Sequence, residues 1–265
     1  MNDAAPIKAI VLAGERPGGN VLARALGLSS SVLAEVGGKA CVARVISVLR
    51  ECNAVAGGTL VGPTQDVVAA ESLSRRLLER DDFSWQEPAS GPSSSALLVA
   101  TAQARYPLLL TAADHALLTA PIVDEFCAQA RALEADFVVG LVPHQVVRNA
   151  YPDSKRTLIK FTDGPYCGSN LFLVNRPAGR AALQFWSAME KERKRPWRLA
   201  WRLGLKSLWR YLIVGMSAAE AFALLSERCS AKIDFVIVTS PRAAIDVDSL
   251  ADLELARTIV GEDHD

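Results

Sequence analysis

Residues 7–14 read Ile-Lys-Ala-Ile-Val-Leu-Ala-Gly, an apolar run from Ile7 to Ala13 that stops at Gly14. Apolar residues at nearly every position, rather than every second one, mark a strand buried on both faces, as in a parallel sheet. Glu15-Arg16-Pro17-Gly18-Gly19 follows as a Gly/Pro-rich loop. Beyond it, Val42, Val45, Ile46 and Leu49 recur at helical spacing. Thr59–Val61 reads as a second strand, 65–80 as a charge-rich helix, and Pro88–Ser95 as turns leading into a helix over Ala96–Arg105. Pro107–Ala112 (PLLLTA) is another continuous strand, halting before Asp114; a helix over Pro121–Leu133 and a strand over Asp136–Val142 follow. Strand and helix alternate through this half, which predicts a Rossmann-like, doubly wound, mainly parallel α/β sheet. Val147–Val174 turns to alternation and loops, so antiparallel strands are expected there. Arg176–Lys194 and Pro196–Gly215 read as helices, Ile233–Thr239 as a strand and Leu250–Val260 as a closing helix.

The 265 residues suit one large domain, and a hydrophobic fraction of 50% supplies its core. Lysine plus arginine equals aspartate plus glutamate, 29 against 29, so no global basic field exists and no nucleic-acid partner is expected. The five cysteines, Cys41, Cys52, Cys127, Cys167 and Cys229, are spread without a CxxC pair, which speaks against a disulfide framework or zinc site. With no basic leader after Met1 and no apolar run of about 18 residues, a cytoplasmic location is expected.

Ligands of open parallel sheets sit at the carboxyl ends of the strands, and three such ends carry unusual residues. Leu12-Ala13-Gly14-Glu15-Arg16-Pro17-Gly18-Gly19 offers backbone N–H groups and an arginine to a phosphate; it also reads as an ordinary loop. Asp114, directly after an apolar strand, is placed to hold Mg²⁺ or to cap a helix; His115 beside it carries no assigned role. In Ala244-Ile245-Asp246-Val247-Asp248-Ser249, two acids two residues apart point the same way from an extended segment, unless Asp248 or Ser249 caps the last helix.

Taken in order, LAG-x-R-x-G, Val36-Gly37-Gly38-Lys39, Gly91-Pro92-Ser93, Asp114 after its strand, Gly168-Ser169-Asn170-Leu171-Phe172 and Asp246-Val247-Asp248-Ser249-x-x-Asp252-Leu253 resemble the MobA-like NTP transferase family over nearly the whole chain. The resemblance implies the nucleotide-diphospho-sugar transferase (GT-A type) fold in one domain over residues 1–265. Its residues 1–145 would bind the NTP, and 146–265 would form an antiparallel and helical acceptor half. It implies a triphosphate cradle at Leu12, Ala13, Gly14, Glu15, Arg16, Gly18 and Gly19, with Arg16 on phosphate oxygens. Gly91, Pro92 and Ser93 would line the base pocket, and Gly168, Ser169 and Asn170 would face the acceptor. Asp114 and Asp246 would hold Mg²⁺, with Asp248 as a further metal candidate; Arg16, Asp114 and Asp246 are the implied catalytic set.

Three positions depart from the family pattern. Glu15 stands where a second glycine is usual, Ser31 where a lysine is usual, and Asp114-His115-Ala116 replaces Asp-x-Pro. The missing lysine removes a cation that would neutralise the transferring phosphate. Lys155 and Arg156 are candidate substitutes, expected to contact the acceptor; a solvated hairpin is the alternative. A second conspicuous segment, about 196–214, repeats Arg198, Arg202, Lys206 and Arg210 beside Trp197, Trp201 and Leu205. Trp197–Leu212 thus suits peripheral membrane contact or a lipid-linked acceptor, or equally a core helix with snorkelling arginines.

The function implied is Mg²⁺-dependent transfer of an NMP from an NTP to a phosphorylated, hydroxyl or lipid-precursor acceptor, with release of pyrophosphate. Two other classes stay open: a glycosyltransferase of the related fold using a nucleotide-sugar, and a noncatalytic nucleotide- or membrane-binding protein.

Overall fold

Strand β1 (Ile7–Leu12) lies inside the sheet, and this explains its composition: Ile7, Ala9 and Val11 pack into one core while Ile10 packs into the other. The computed structural model describes residues 5–15, 19–70, 77–192 and 215–262. Strands β4 (Val55–Val61) and β6 (Leu108–Ala112) flank β1 in parallel, and β5 (Phe83–Gln86) extends the sheet beyond β4. On the other side, β9 (Gly164–Val174) runs antiparallel between β6 and β7 (Phe137–Pro143), and β10 (Ile233–Ile237) pairs in parallel with β7. The order is β10-β7-β9-β6-β1-β4-β5, with β8 (Ile159–Phe161) paired to β9. The expected mainly parallel sheet with antiparallel strands in the second half is borne out.

Helices cover both faces. Helices α2 (Cys41–Glu51), α5 (Ala120–Ala132), α6 (His144–Ala150) and α9 (Leu250–Glu262) bury Val45, Ile46, Phe126, Val147 and Ile259 on one side. Helices α4 (Pro92–Ala102), α7 (Arg180–Glu192) and α8 (Ala218–Cys229) bury Ala96, Val99, Leu183 and Phe222 on the other. All five cysteines are buried free thiols; burial pushes those of Cys41, Cys52 and Cys127 up to about 12, so they pack as apolar groups.

Several elements differ from the sequence reading. Strand β4 begins at Val55 because Gly57 and Gly58 belong to it: a Cβ at Gly57 would collide with the Asp82 carbonyl, and one at Gly58 with Ala9. What reads as a break is close packing of strands. Helix α4 starts earlier, at Pro92, with proline in its first turn and Gly91 extended before it. Helix α6 occupies the start of the stretch expected to be strands, β5 was not expected, and α8 begins with a Ser217/Glu220 capping box that the sequence displays as S-x-x-E. The helix expected over 65–80 is seen as α3 (Gln65–Ala70) before the described residues pause.

The topology locates the site. From β1 the chain steps outward to β4 and β5, then returns to β6 on the opposite side of β1. The loops after β1 and β6 therefore diverge, opening a crevice over the carboxyl ends of neighbouring strands. Because β9 is antiparallel, its Gly164 end reaches this same edge, where Gly168 pairs with Leu141 and Tyr166 with Pro143.

Candidate active site

The loop after β6 carries Asp114. The Ala113 N–H donates to the Leu12 carbonyl (2.8 Å), holding this loop against the end of β1. The Val247 N–H donates to the Asp114 carbonyl (3.1 Å), which brings the segment around Asp246 to the same place. Ile245 and Val247 are buried, whereas Asp246 is half-buried and Asp248 exposed, so the two acids do share the outward side. Asp114 is itself enclosed, and its Oδ1 has no hydrogen-bond partner. Burial first, then the negative charges of Asp246 and Asp248, push its carboxyl up to about 8. Among the described residues no group of three or more such side chains forms a complete metal cage. His115 is fully buried against the Ala243 backbone, neither ring nitrogen completing a hydrogen bond, and burial lowers it to about 4.

These shifts predict a pH dependence. The folded-state value of Asp114 lies above its ordinary 3.8, so the folded chain keeps a proton that the unfolded chain releases. Metal-free stability therefore falls as pH rises from 3.8 towards about 8. His115, lowered from 6.5 to about 4, acts oppositely, costing stability as pH falls through that window. Asp114→Asn retains His115 and removes only the first effect. In EDTA, urea denaturation should show the variant gaining on wild type from acid to mildly alkaline pH; parallel curves would refute the burial effect.

Arg156 is not an outward-reaching cation. Its side chain is 8% exposed, its Nη1 pairs with Asp246 Oδ1 at 2.5 Å, its Nη2 pairs with Asp252, and its Nε donates to Ser154 Oγ (2.9 Å). The expectation that Arg156 contacts an acceptor is corrected: its donors are taken up by the acid loop, because a buried guanidinium must be paired. Arg156 thereby places a positive charge beside Asp246. Lys155, next to it, is exposed.

The phosphate-loop candidates end β1. Leu12 is half-buried, Ala13 donates its N–H to the Val61 carbonyl (2.8 Å), and Gly14 is exposed beside Pro88, where a Cβ would approach that ring at 3.1 Å. Gly62, at φ +87°, presses on the backbone of Ala13 and Gly14, a contact that a side chain would block. Glu15 turns back: its carboxylate accepts from Ser30 Oγ (3.0 Å) and from the Ser31 N–H. Arg16 and Gly18 lie outside the described residues, as do Trp197–Leu212; Gly19 is exposed at φ +79°.

Gly91-Pro92-Ser93 forms the start of α4, but Ser93 is fully buried and donates its hydroxyl to Glu190 of α7, whose carboxylate also takes the Ser93 N–H at 3.4 Å. The expected role of the Ser93 hydroxyl at a base is corrected accordingly. Glu190, 97 residues away, had no signal in the sequence. Gly91 is kept small by the same carboxylate, with which a Cβ would collide.

At β9 the ladder slips between Val139 and Leu141. The Ser169 hydroxyl fills the bulge, donating to the Gly140 carbonyl (2.8 Å) and accepting from the Leu171 N–H (3.2 Å). Ser169 is fully buried, so its expected acceptor contact is corrected; Gly168 is exposed and Asn170, at φ +51°, is half-buried. The pairing of Leu110 with Phe172, continued along the strands, sets Asn170 level with Ala112, just before Asp114. Gly140→Ala would place its methyl on Ser169 Oγ and should cost about 1–3 kcal/mol in urea denaturation; wild-type stability would show that the bulge adapts freely.

Val36-Gly37-Gly38-Lys39 is the tip of a hairpin between β2 (Glu35–Val36) and β3 (Lys39–Ala40), with both glycines at positive φ as a two-residue turn requires. Arg44 ties it to the acidic loop, donating to Val36 O (3.2 Å) and Ala116 O (2.9 Å). Among the described residues no helix is long and apolar enough to cross a membrane.

Comparison with known proteins places this architecture. A hypothetical transferase from Thermus thermophilus is 25% identical with a TM-score of 0.75, over 94% of this chain and 100% of that one. The 4-diphosphocytidyl-2C-methyl-D-erythritol synthase of Anaerococcus prevotii is 13% identical with a TM-score of 0.59, over 97% and 98% of the two chains. A CMP:2-keto-3-deoxy-manno-octonic acid synthetase complexed with CTP is 12% identical with a TM-score of 0.60, over 98% and 100%. The last two similarities show the nucleotide-diphospho-sugar transferase fold. No curated protein matches the sequence. The model of the MobA-like NTP transferase domain matches residues 9–198, and the chain belongs to that family.

Proposed function

We propose that this chain is a nucleotidyltransferase that moves an NMP from an NTP to a phosphorylated or hydroxyl small-molecule acceptor, releasing pyrophosphate. The observation that carries the reading is Asp114: a buried carboxylate with an unpartnered oxygen, at the point where the sheet's strand order reverses, beside Asp246 and Asp248. An orphaned buried carboxylate oxygen fits a divalent cation, and Mg²⁺ is commonly held by one or two carboxylates, with nucleotide phosphates and water completing its shell. Asp114 and Asp246 would hold it, with Asp248 nearby. When bound, Mg²⁺ supplies charge neutralisation to the phosphates.

The chain's own residues do the positioning. The backbone from Ala13 to Gly19 and the Arg16 guanidinium would receive the triphosphate, while the Pro88–Pro92 stretch would flank the base. Gly168 and Asn170, with exposed Lys155, border the acceptor side. The acceptor oxygen attacks the α-phosphorus, the bond from that phosphorus to the oxygen bridging to the β-phosphate breaks, and pyrophosphate departs with the electron pair. A hydroxyl acceptor also releases its proton to solvent; a phosphate acceptor has none to lose at that oxygen. Catalysis is then orientation and charge balance, with no covalent enzyme intermediate.

A thermal-shift screen of the four NTPs with and without Mg²⁺ tests the binding step, because a ligand of the native state alone raises the melting temperature. Pyrophosphate release with sugar phosphates, polyol phosphates and lipid-headgroup precursors tests the chemistry. Mg²⁺-dependent stabilisation by one NTP and pyrophosphate release with some acceptor are expected. Stabilisation by nucleotide-sugars alone would make the chain a glycosyltransferase instead.

A further inference from the structure

We infer that Glu15 is a specificity residue that admits the nucleotide as its metal complex and turns away the free triphosphate. The inference rests on the reading of residues 13–19 as the phosphate loop. Glu15 directly follows Gly14, at the carboxyl end of β1, and its carboxylate is held there by Ser30 Oγ (3.0 Å) and the Ser31 N–H. Ser30 and Ser31 are both buried, so the carboxylate is docked on the protein instead of being left to swing into solvent. Strand pairing of Leu12 with Ala112 puts this loop beside the one that carries Asp114. The crevice is therefore bordered by Glu15 on one strand end and by Asp114, Asp246 and Asp248 on the other, while Arg156 is engaged with Asp246 and Asp252.

A free triphosphate brings several negative charges to that border; its magnesium complex brings two fewer. A fixed carboxylate at the loop penalises the first form far more than the second, because repulsion grows with the product of the charges. Asp114 and its neighbours attract a cation, and Glu15 repels the nucleotide that lacks one. Together they make cation and nucleotide enter as a unit. Glu15 adds this discrimination without being a metal ligand, since its oxygens are turned to Ser30 and Ser31.

Glu15→Gln tests the assignment on the full chain. The amide oxygen can accept the same two hydrogen bonds, so the change removes charge and little else. Calorimetry with ATP, CTP, GTP and UTP in turn, in EDTA and in excess Mg²⁺, measures affinity for the free and complexed forms. The variant should bind the free form about tenfold more tightly than wild type does, with a much smaller change for the Mg²⁺ complex, so the ratio of the two affinities narrows. An unchanged ratio overturns this inference while leaving the nucleotide reading intact. Failure of wild type to bind any NTP in either form overturns both. If the variant does not fold, wild type still decides: raising ionic strength should narrow the ratio by screening the loop carboxylate, and a salt-independent ratio overturns the inference.

Discussion

Asp114→Ala should lower turnover by about a thousandfold or more while the chain stays folded. The side chain is enclosed and repelled by Asp246 and Asp248, and its Oδ1 has no partner in the protein. Such a group is a poor contributor to the metal-free fold, so its removal should leave the melting temperature in EDTA unchanged or higher. Its loss should instead be felt by the cation and the phosphates; a stabilisation of about 4 kcal/mol at the transferring phosphate corresponds to about three decades in rate. Pyrophosphate release by the folded variant, compared with wild type at saturating Mg²⁺ and NTP, measures it. Near-normal turnover would remove Asp114 from the metal assignment and with it the main support for the proposed reaction.

Arg156→Ala should have the larger effect on the fold. The guanidinium joins Asp246, Asp252 and Ser154, and the side chains of the two acids are 29% and 15% exposed. Deleting it leaves two partly buried carboxylates without their cation, in a region that already holds Asp114 and Asp248. Removing one partner of a buried pair costs about 3–5 kcal/mol, and the partial exposure of Asp246 puts this case near the lower figure. Urea denaturation at neutral pH should show that loss. Arg156→Lys should recover only part of it, because an ammonium cannot span both carboxylates as a planar fork does. Adding Asp252→Asn to Arg156→Ala should regain stability, since it removes one of the stranded charges. If Arg156→Ala were neutral, the fork would be a surface contact and Asp246 would be held by its backbone alone.

The candidate site was legible in the sequence to different depths. Asp114, Asp246 and Asp248 were readable because each sits directly after an apolar run or within a short alternating segment, patterns that local sterics and burial dictate. The Arg156 fork was not. Its partners lie 90 and 96 residues away, and a cationic pair in a loop reads the same whether it faces solvent or a buried acid. Ser93 and Ser169 looked like ligand contacts, yet both hydroxyls satisfy internal acceptors, Glu190 and the Gly140 carbonyl. A hydroxyl's partner is chosen by what the fold brings within 3 Å or so, which no spacing rule contains.

By itself, the sequence determined the class of the fold. The runs Ile7–Ala13 and Pro107–Ala112 must be buried on both faces, and strands of that kind separated by amphipathic helices assemble as a wound, parallel sheet. It also determined the turn chemistry, with Gly37-Gly38 at the positive φ of the hairpin and Pro92 at the head of α4. The tertiary structure alone decided where strand order reverses, and hence that Gly14 and Asp114 share one crevice. It alone bonded Val247 to Asp114 and turned Glu15 onto Ser30 and Ser31. The physical reason is range: periodicity and turn preference act within a few residues, whereas the charge and hydrogen-bond partners of a buried group are set by chain segments that only folding brings together.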